Sequence, residues 1–458
     1  MEFSMELINY LTQVESKTLE FKQSCYSLKN IVKSVVAFAN TAGGVILIGV
    51  NDDRDVVGVD EPLKDEQRLS SAFADSIRPL LMPDISITTY RDRSIIIVKV
   101  YHSFAPFYLE SEGPENGVYI RLGSTNRKAD KDTIENIRRM ARNLAYDELP
   151  CPDLNSEAID FRVASELFAK RSRTLDNKSL QTLGILTEHN RTAVPTIGGI
   201  LLFGSNRKRH FPDAIIRCAR FEGESGSRFI DQLEIDDPLP EAVESILKFI
   251  RKHIRVGLEI GSIHSTEHPQ YPPKAIREAV INAIVHADYS IPGMNIRIAI
   301  YDDRIEITNP GTLPFGMSVE TALSGVSKLR NRVIGRIFKE LNLIEQWGTG
   351  ITRIIEECKS NQLLAPKFEE LGSAFRVTLN AGKLEEIKLA KWETDLIEHL
   401  QLKKEILTKE AAKLWGVSDR TARTRLLDMM AKDLIIEVRT SPTDPKKVYV
   451  LNSRSPRV

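Results

Sequence analysis

The chain has 458 residues, a hydrophobic fraction of 42%, a charged fraction of 28% and a formal net charge of zero. The length exceeds that of one ordinary domain, and the composition is typical of proteins with buried cores. Zero net charge excludes a global attraction to nucleic acid or to an anionic membrane, so any nucleic-acid site must be a local basic surface.

The cysteines and the apolar runs indicate a cytoplasmic location. The four cysteines lie far apart, without metal-ligand spacing, as reduced thiols do in a cytosolic protein. No apolar run approaches the roughly 20 residues of a bilayer span, and the first ten residues do not resemble a signal peptide. We therefore expect no membrane partner.

The first predicted domain, residues 1–149, mixes strands and helices. Hydrophobic and polar residues alternate in Thr18–Lys22, as in a half-buried strand. The pattern predicts an amphipathic helix at 28–40 and a buried strand at 44–50. A later strand leads into the polar, basic loop RLGSTNRK. Its cations and small donors suit phosphate oxygens, so its candidate nucleic-acid contacts are Arg121, Ser124, Thr125, Asn126, Arg127 and Lys128.

A group of carboxylates could meet in this domain. Glu20 and Lys22 share one face of the predicted strand, and Glu15 could return to that face through a turn. Asp52 would join them if the two strands are neighbours. Carboxylate oxygens that lie so close are commonly compensated by a divalent metal. The group could instead form ion pairs that stabilise the fold.

The segments ESKTLEFK and AFANTAGGVILIGVND resemble the Schlafen AlbA-type domain, a nucleic-acid-binding module. In its nuclease-active relatives, three carboxylates support metal-dependent cleavage. The resemblance implies this catalytic role for Glu15, Glu20 and Asp52, with Lys22 beside them. Those nucleases use a duplicated core and a zinc site, and this sequence has neither a second copy nor zinc-ligand spacing. Binding without catalysis stays open.

A mixed α/β connector domain is predicted at residues 157–265, with helices at 160–171 and 239–254 and strands at 198–204 and 214–223. It carries no motif with a recognisable chemistry.

The next predicted domain, residues 272–383, begins with a helix that places Glu278, Asn282 and His286 on one face. An amide oxygen can bind magnesium, and a carboxylate one turn away can orient water. The turns NPGTLP and WGTG would let backbone N–H groups approach a ligand closely. His286 lacks a second histidine at metal spacing and is interpreted as structural.

The order of these pieces resembles the GHKL (Bergerat) ATP-binding fold, and more closely its RecG C-terminal-like branch. The resemblance implies ATP and magnesium as cofactors, Glu278 as general base and Asn282 as magnesium ligand. It further implies that Asn309, where the family usually has aspartate, reads adenine. The implied glycine contacts are Gly311, Gly348 and Gly350. A scaffold or dimerisation unit without bound nucleotide stays open.

The last predicted domain, residues 388–452, has the helix-turn-helix and hairpin pattern of a winged helix. Residues 411–458 contain ten Lys or Arg and five Asp or Glu, a local basic excess. The predicted DNA contacts in the recognition helix and wing are Thr421, Arg423, Thr424, Arg425, Lys446 and Lys447. The alternative is a winged helix that contacts protein.

The sequence therefore predicts an α+β multidomain protein: a Schlafen AlbA-type domain, a GHKL-like α/β sandwich and a C-terminal winged helix. We expect a cytosolic, nucleotide-responsive transcriptional regulator that binds DNA in preference to RNA, as a homo-oligomer. The alternative is a metal-dependent Schlafen-type nuclease that acts on RNA or DNA, with anti-phage defence left open as its role. Whether the chain is an enzyme, as a weak ATPase or as that nuclease, stays open.

Overall fold

A computed structural model describes residues 2–103, 105–254, 256–260, 265–344, 350–382, 390–439, 444 and 447–452. The chain divides into two compact units. The first combines Met1–Arg138 with Glu385–Val458, and the second is Arg139–Leu384. The two ends of the chain therefore belong to the same unit, whereas the sequence suggested separate domains at each end.

The N-terminal part of the first unit alternates helices and strands. The helices are α1 (Glu2–Leu11), α2 (Leu28–Asn40), α3 (Pro62–Ser76), α4 (Gly113–Asn116) and α5 (Lys131–Ala141). The strands are β1 (Leu19–Lys22), β2 (Gly44–Ile48), β3 (Ile77–Arg78), β4 (Asp84–Tyr90), β5 (Arg93–Val100), β6 (Tyr108–Leu109), β7 (Tyr119–Leu122) and β8 (Thr125–Lys128).

A four-stranded sheet in the order β1-β2-β5-β4 organises this part. Strand β1 pairs with β2 in parallel, with Glu20 opposite Ile46, which confirms that the two predicted strands are neighbours. Helix α2 packs on one face, where Val35, Phe38 and Ile96 are buried in one core. Because α2 is apolar over most of its length, its exposed polar residues gather near its first turns.

The second unit contains the following described elements. Its helices are α6 (Phe161–Ala169), α7 (Asn177–Thr182), α8 (Ile197–Phe203), α9 (Arg207–His210), α10 (Leu239–His253), α11 (Pro273–His286), α12 (Val319–Leu323), α13 (Arg332–Glu340) and α14 (Gly350–Ser360). Its strands are β9 (Leu186–His189), β10 (Thr192–Pro195), β11 (Ile216–Phe221), β12 (Phe229–Ile235), β13 (Val256–Ile260), β14 (Ser265–Pro269), β15 (Ile296–Ile300), β16 (Arg304–Pro310), β17 (Lys367–Leu371) and β18 (Ala374–Asn380).

One six-stranded sheet, ordered β12-β11-β15-β16-β18-β17, runs through this unit. Strand β11 is parallel to β15, and the other neighbours are antiparallel. Strands β11 and β12 come from the residues predicted as a connector, so those residues share a sheet and a core with the predicted ATP-binding residues. Helix α11 packs against α14 and β16.

The strand predicted at 198–204 is wrong, because Ile197–Phe203 is helix α8. Thr196 caps it, its hydroxyl accepting from the Gly199 N–H at 2.9 Å. All seven residues of α8 are buried. A short apolar run of this kind fits a buried helix as well as a buried strand, so periodicity alone could not separate them.

The C-terminal part of the first unit has helices α15 (Lys391–Lys403), α16 (Thr408–Trp415) and α17 (Asp419–Ala431), and strands β19 (Glu405–Leu407), β20 (Ile435–Val438) and β21 (Val448–Leu451). The strands form a sheet in the order β19-β21-β20. Ser418 caps α17, with its hydroxyl accepting from the Thr421 N–H at 3.2 Å.

The C-terminal hairpin packs against the N-terminal sheet. Val438, Val448 and Val450 are buried in one core with Phe21 and Leu47. Two ion pairs flank this core: Arg439 lies 2.8 Å from Asp55, and Arg91 lies 2.9 Å from Asp444. This packing explains why the two ends of the chain form one unit. Among the described residues of either unit, no helix is both long enough and apolar enough to cross a bilayer.

Candidate functional site

The second unit contains a cavity of about 400 Å³ beside helix α11. Glu278, Asn282 and His286 line it from α11, Asn309 lines it from β16, and Gly350 lines it from the start of α14. The volume lies within the range of small-molecule sites. Four of the residues predicted to hold a nucleotide are thus brought together: Glu278, Asn282, Asn309 and Gly350.

The contact between α14 and α11 requires glycine at position 350. A Cβ atom there would lie 2.5 Å from Glu278 Oε1 and 2.9 Å from Asn282 Nδ2. The first turn of α14 therefore approaches both polar side chains closely. Glu278 Oε2 also lies 3.6 Å from an Arg353 guanidinium nitrogen. These contacts create a polar end of the cavity where a helix N-terminus meets a carboxylate and an amide.

Asn309 is buried, with only 5% of its surface exposed. Its side-chain N–H donates to the Pro310 carbonyl oxygen at 3.0 Å. This bond uses one of the two amide N–H groups, so Asn309 can offer its oxygen, as an acceptor, and its second N–H, as a donor, to a ligand in the cavity.

The three predicted glycine contacts have different outcomes. Gly350 lines the cavity, whereas Gly311 is not among its lining residues. Gly311 has φ +88°, and a Cβ there would lie 2.6 Å from the Asp288 Cβ. Glycine is thus required at 311 by a turn packed against Asp288, which itself pairs with Arg330 at 2.5 Å. Gly348 lies outside the described residues.

Sequence reasoning missed the cations of this cavity. Its lining includes Lys328, Arg336, Lys339 and Arg353, against Glu278 as the carboxylate among the described lining residues. Burial lowers the pKa of Lys328, and the nearby charges of Arg332 and Arg330 lower it further. Arg336 and Lys339 are three residues apart on α13, a spacing that could have placed both on one helix face. Arg336 pairs with Glu148 at 3.1 Å, and Arg353 lies 3.6 Å from Glu278, so four cations face two carboxylates. The positive charge that remains suits a polyphosphate ligand.

His286 remains neutral in this setting. Burial lowers its pKa from 6.5 to about 4, and the positive charge of Arg330 adds to the effect. A neutral imidazole at the cavity wall agrees with the structural interpretation of this residue better than with a charged phosphate contact.

The predicted three-carboxylate metal site is not assembled. Glu20 is buried, with Lys22 Nζ 2.6 Å from Oε1 and an Arg121 guanidinium nitrogen 2.5 Å from Oε2. Ser34 also donates to Glu20 Oε1 at 2.8 Å. Two cations and a hydroxyl therefore compensate the charge that a metal was expected to compensate.

The other two carboxylates differ in their surroundings. Glu15 accepts from the Phe21 N–H at 2.8 Å, and its charge acts on Arg121 as that of Glu20 does, whereas Asp52 lies exposed in a turn after β2. In the part of the chain that the structure describes, no group of three or more His, Cys, Asp or Glu side chains could hold a metal ion. The ion-pair alternative fits these contacts. The nuclease alternative required a three-carboxylate metal site, which these three residues do not form.

The predicted basic loop is a hairpin. Residues 125–128 form strand β8, paired with β7. Arg121 is only 3% exposed and bonded to Glu20, so it cannot contact phosphate as predicted. Asn126 accepts from Arg121 at 2.9 Å and donates to Ser34 at 2.8 Å, which also turns it inward. Of the residues predicted to contact nucleic acid from this hairpin, the exposed ones are Ser124, Thr125, Arg127 and Lys128.

The predicted C-terminal contacts differ in accessibility. Thr421, Arg423 and Thr424 are exposed on α17. Arg425 instead lies over two indole rings, 5.0 Å from the Trp392 centroid and 5.5 Å from that of Trp415. These cation–π contacts hold its guanidinium against the domain rather than toward solvent.

Only one of the two lysines predicted to contact DNA from a wing lies among the described residues. Lys447 Nζ lies 2.7 Å from Glu437, so it pairs within its own hairpin. Lys446 lies outside the described residues.

Two family models match the chain. Residues 15–130 match "Schlafen, AlbA_2", and residues 293–379 match "Putative ATP-dependent DNA helicase recG C-terminal". These matches confirm the predicted AlbA-type and RecG C-terminal-like domains. At the level of its domains, the chain is thus a nucleic-acid-related, ATP-binding protein. No match was found among curated proteins.

Solved structures that are similar to this chain include the following two. The DIP2311 protein from Corynebacterium diphtheriae is 18% identical with a TM-score of 0.44, covering 98% of this chain and 97% of that chain. The N-terminal domain of a "Putative ATP-dependent DNA Helicase RecG-related Protein" from Nitrosomonas europaea is 26% identical with a TM-score of 0.22. That match covers 27% of this chain and 91% of the other.

Proposed function

We propose that this protein is a nucleotide-responsive, DNA-binding transcriptional regulator that holds ATP in the cavity beside α11. The observation that carries the proposal is the meeting of Glu278, Asn282, Asn309 and Gly350 at one cavity with a cationic lining. ATP has an amino group that can donate to an acceptor, a flat apolar base, and a polyphosphate that attracts cations. The lining offers an acceptor in Asn309, apolar side chains and cations.

The residues fit the nucleotide as follows. The Asn309 oxygen would accept from the adenine amino group, while one N–H of the same amide donates to the Pro310 carbonyl oxygen. Lys339 and Arg336 would face the phosphates from α13. Glycine at 350 lets the first turn of α14 approach Glu278 and Asn282 closely, and the backbone N–H groups of that turn would bind phosphate oxygens at the helix N-terminus.

Magnesium would accompany the nucleotide, since Mg²⁺ is usually held by one or two protein groups together with substrate phosphates. Asn282 would supply the protein oxygen. Glu278 would orient a water molecule if the nucleotide is hydrolysed, but its contact with Arg353 restrains it. We therefore propose nucleotide binding as the primary role of the site.

The DNA-binding role is assigned to the first unit, which carries the AlbA_2 match and the exposed residues of α17. Arg423, Thr421 and Thr424 would contact DNA from one helix. If ATP changes the affinity for DNA by some factor, DNA must change the affinity for ATP by the same factor, because the two equilibria are linked.

Calorimetric titration of the purified full chain with ATP and magnesium tests the proposal. We expect wild type to bind ATP, Asn282→Ala to lose at least about tenfold in affinity, and Asn361→Ala to bind as wild type. Asn361 is an exposed asparagine of the same unit, just after α14, and its side-chain N–H donates to the Glu357 carbonyl oxygen at 2.7 Å.

A second titration measures the regulation. DNA affinity of the full chain, followed by fluorescence anisotropy, should change when ATP is present and should not change in Asn282→Ala. Absence of ATP binding by the wild-type chain would overturn the nucleotide role. ATP binding without any effect on DNA affinity would overturn the regulatory role alone.

A further inference from the structure

An unusually exposed tyrosine lies just before helix α2. The Tyr26 side chain is 91% exposed, although a tyrosine ring normally buries much of its apolar surface. Its backbone N–H is 3.5 Å from the Ser24 hydroxyl. Its neighbour Cys25 is buried, so the backbone is packed against the core at the residue just before Tyr26.

Two lysines follow Tyr26 on the outward side of α2. Lys29 and Lys33 are four residues apart and therefore share a helix face. Lys29 is exposed, whereas Ile31, Val32 and the residues after Lys33 are buried.

The β7–β8 hairpin adds cations next to this helix. Helix α2 packs against β7 and β8, and Asn126 donates to Ser34 of α2 at 2.8 Å. Lys33 Nζ lies 4.8 Å and Lys128 Nζ lies 5.8 Å from the centroid of the Tyr119 ring. Cations of the helix and of the hairpin are therefore neighbours across one aromatic ring.

The charge of this surface is only partly compensated. Lys128 lies 2.8 Å from Glu112, which also accepts from the Tyr119 hydroxyl at 2.9 Å. Among the described residues, Lys29 forms no ion pair, and it is exposed three residues after Tyr26. Cations and an exposed aromatic ring are the two components of single-strand binding surfaces.

We propose that the surface formed by Tyr26, Lys29, Lys33 and Lys128 binds single-stranded nucleic acid, with an unpaired base stacked on Tyr26. This inference deepens the proposed function, because it rests on nucleic-acid binding by the first unit. The lysines contact phosphates, which carry no base identity. Stacking requires an unpaired base, because in a duplex both faces of a base are covered by its neighbours. A single strand of DNA and one of RNA share this chemistry.

Fluorescence anisotropy of the full chain with labelled oligothymidylate, oligouridylate and duplex DNA tests the inference. Stacking on one aromatic side chain contributes about 1–3 kcal/mol per base, so Tyr26→Ala should weaken single-strand binding about 5- to 150-fold. Tyr26→Trp should retain binding, because the indole ring also stacks. The matched control is Tyr101→Ala, which removes another exposed tyrosine of the same unit, 60% exposed, and should bind as wild type.

The salt dependence tests the cations separately. Lys29→Gln combined with Lys33→Gln should reduce the slope of log affinity against log salt by about 1.4, since each phosphate contact on a single strand contributes about 0.7. Lys64→Gln with Arg68→Gln is the control, because those cations are already paired on α3.

The outcomes separate the two proposals. Single-strand binding that Tyr26→Ala leaves unchanged, or duplex binding without single-strand binding, would overturn this inference and leave the proposed function standing. Failure of every oligonucleotide to bind at low salt would overturn both. A preference for oligouridylate or oligothymidylate identifies the natural strand as RNA or DNA, and either result supports the surface.

Discussion

A guanidinium nitrogen of Arg121 lies 2.5 Å from Oε2 of Glu20, in an ion pair whose side chains are 1% and 5% exposed. It joins strand β7 to strand β1 across a separation of 101 residues. The pair converts a carboxylate that resembled a metal ligand, and an arginine that resembled a phosphate contact, into one structural element. Both residues are therefore assigned to the stability of the AlbA-type domain.

Glu20→Ala should destabilise the first unit by about 3–5 kcal/mol, because it leaves the Arg121 guanidinium buried without its partner. The loss of stability is measured by urea unfolding that is monitored through hydrogen exchange in β1 and β7. Glu166→Ala, which removes an exposed pair with Arg162, should cost less than about 1 kcal/mol. Retained stability together with loss of a magnesium-dependent cleavage would restore the nuclease alternative.

Local periodicity predicted the parts of the fold that depend on neighbours in sequence. Alternation in Thr18–Lys22 identified β1, and the spacing of Glu278 and Asn282 placed both on one face of α11. Local periodicity could not predict contacts between residues that lie far apart in sequence. Nothing near Glu20 indicates that Arg121 neutralises it. The apolar residues of β20 and β21 fit a core within the C-terminal part as well as a core shared with the N-terminal sheet. Their pattern therefore does not distinguish the two arrangements.

Gly350→Ala should lower ATP affinity at least about tenfold without unfolding the second unit. The new Cβ would meet only the ends of the Glu278 and Asn282 side chains, at 2.5 and 2.9 Å. These ends can move, but they then leave the positions that form the polar end of the cavity. Calorimetry for ATP and thermal unfolding without ligand check the two parts of the prediction.

The control for this substitution is Gly382→Ala. Its Cβ would meet a Leu364 methyl group at 3.0 Å, away from the residues that line the cavity. We expect ATP affinity to remain at the wild-type value. Equal affinities in both variants would show that the close approach of α14 to α11 has no part in nucleotide binding.

His286 should make the second unit less stable as pH falls from about 6.5 to about 4. Its pKa is about 4 in the folded chain, against 6.5 for the ordinary value, because burial disfavours the charged imidazolium. Within that window the unfolded chain binds the proton and the folded chain does not, so protonation favours unfolding. The effect reaches at most about 3 kcal/mol and is complete below pH 4.

The measurement compares unfolding free energies of wild type and His286→Gln across this pH range. Carboxylates common to both proteins cancel in the difference, so the stability of His286→Gln relative to wild type should rise as pH falls. His210→Gln, which replaces an exposed histidine of the same unit, should follow the wild-type profile. Parallel profiles for His286→Gln would contradict a buried, neutral imidazole.

Val450→Asp should destabilise the N-terminal sheet as well as the C-terminal hairpin. Val450 is 3% exposed and shares a core with Phe21 and Leu47, so the substitution places an unpaired carboxylate between the two parts. Hydrogen exchange should accelerate in β1 and β2 as well as in β20 and β21, because a shared core opens cooperatively. Leu402→Asp, at a position 84% exposed, should leave all four strands protected. Acceleration confined to β20 and β21 would mean that the two ends of the chain fold independently, and the shared core would then contribute little to the stability of either.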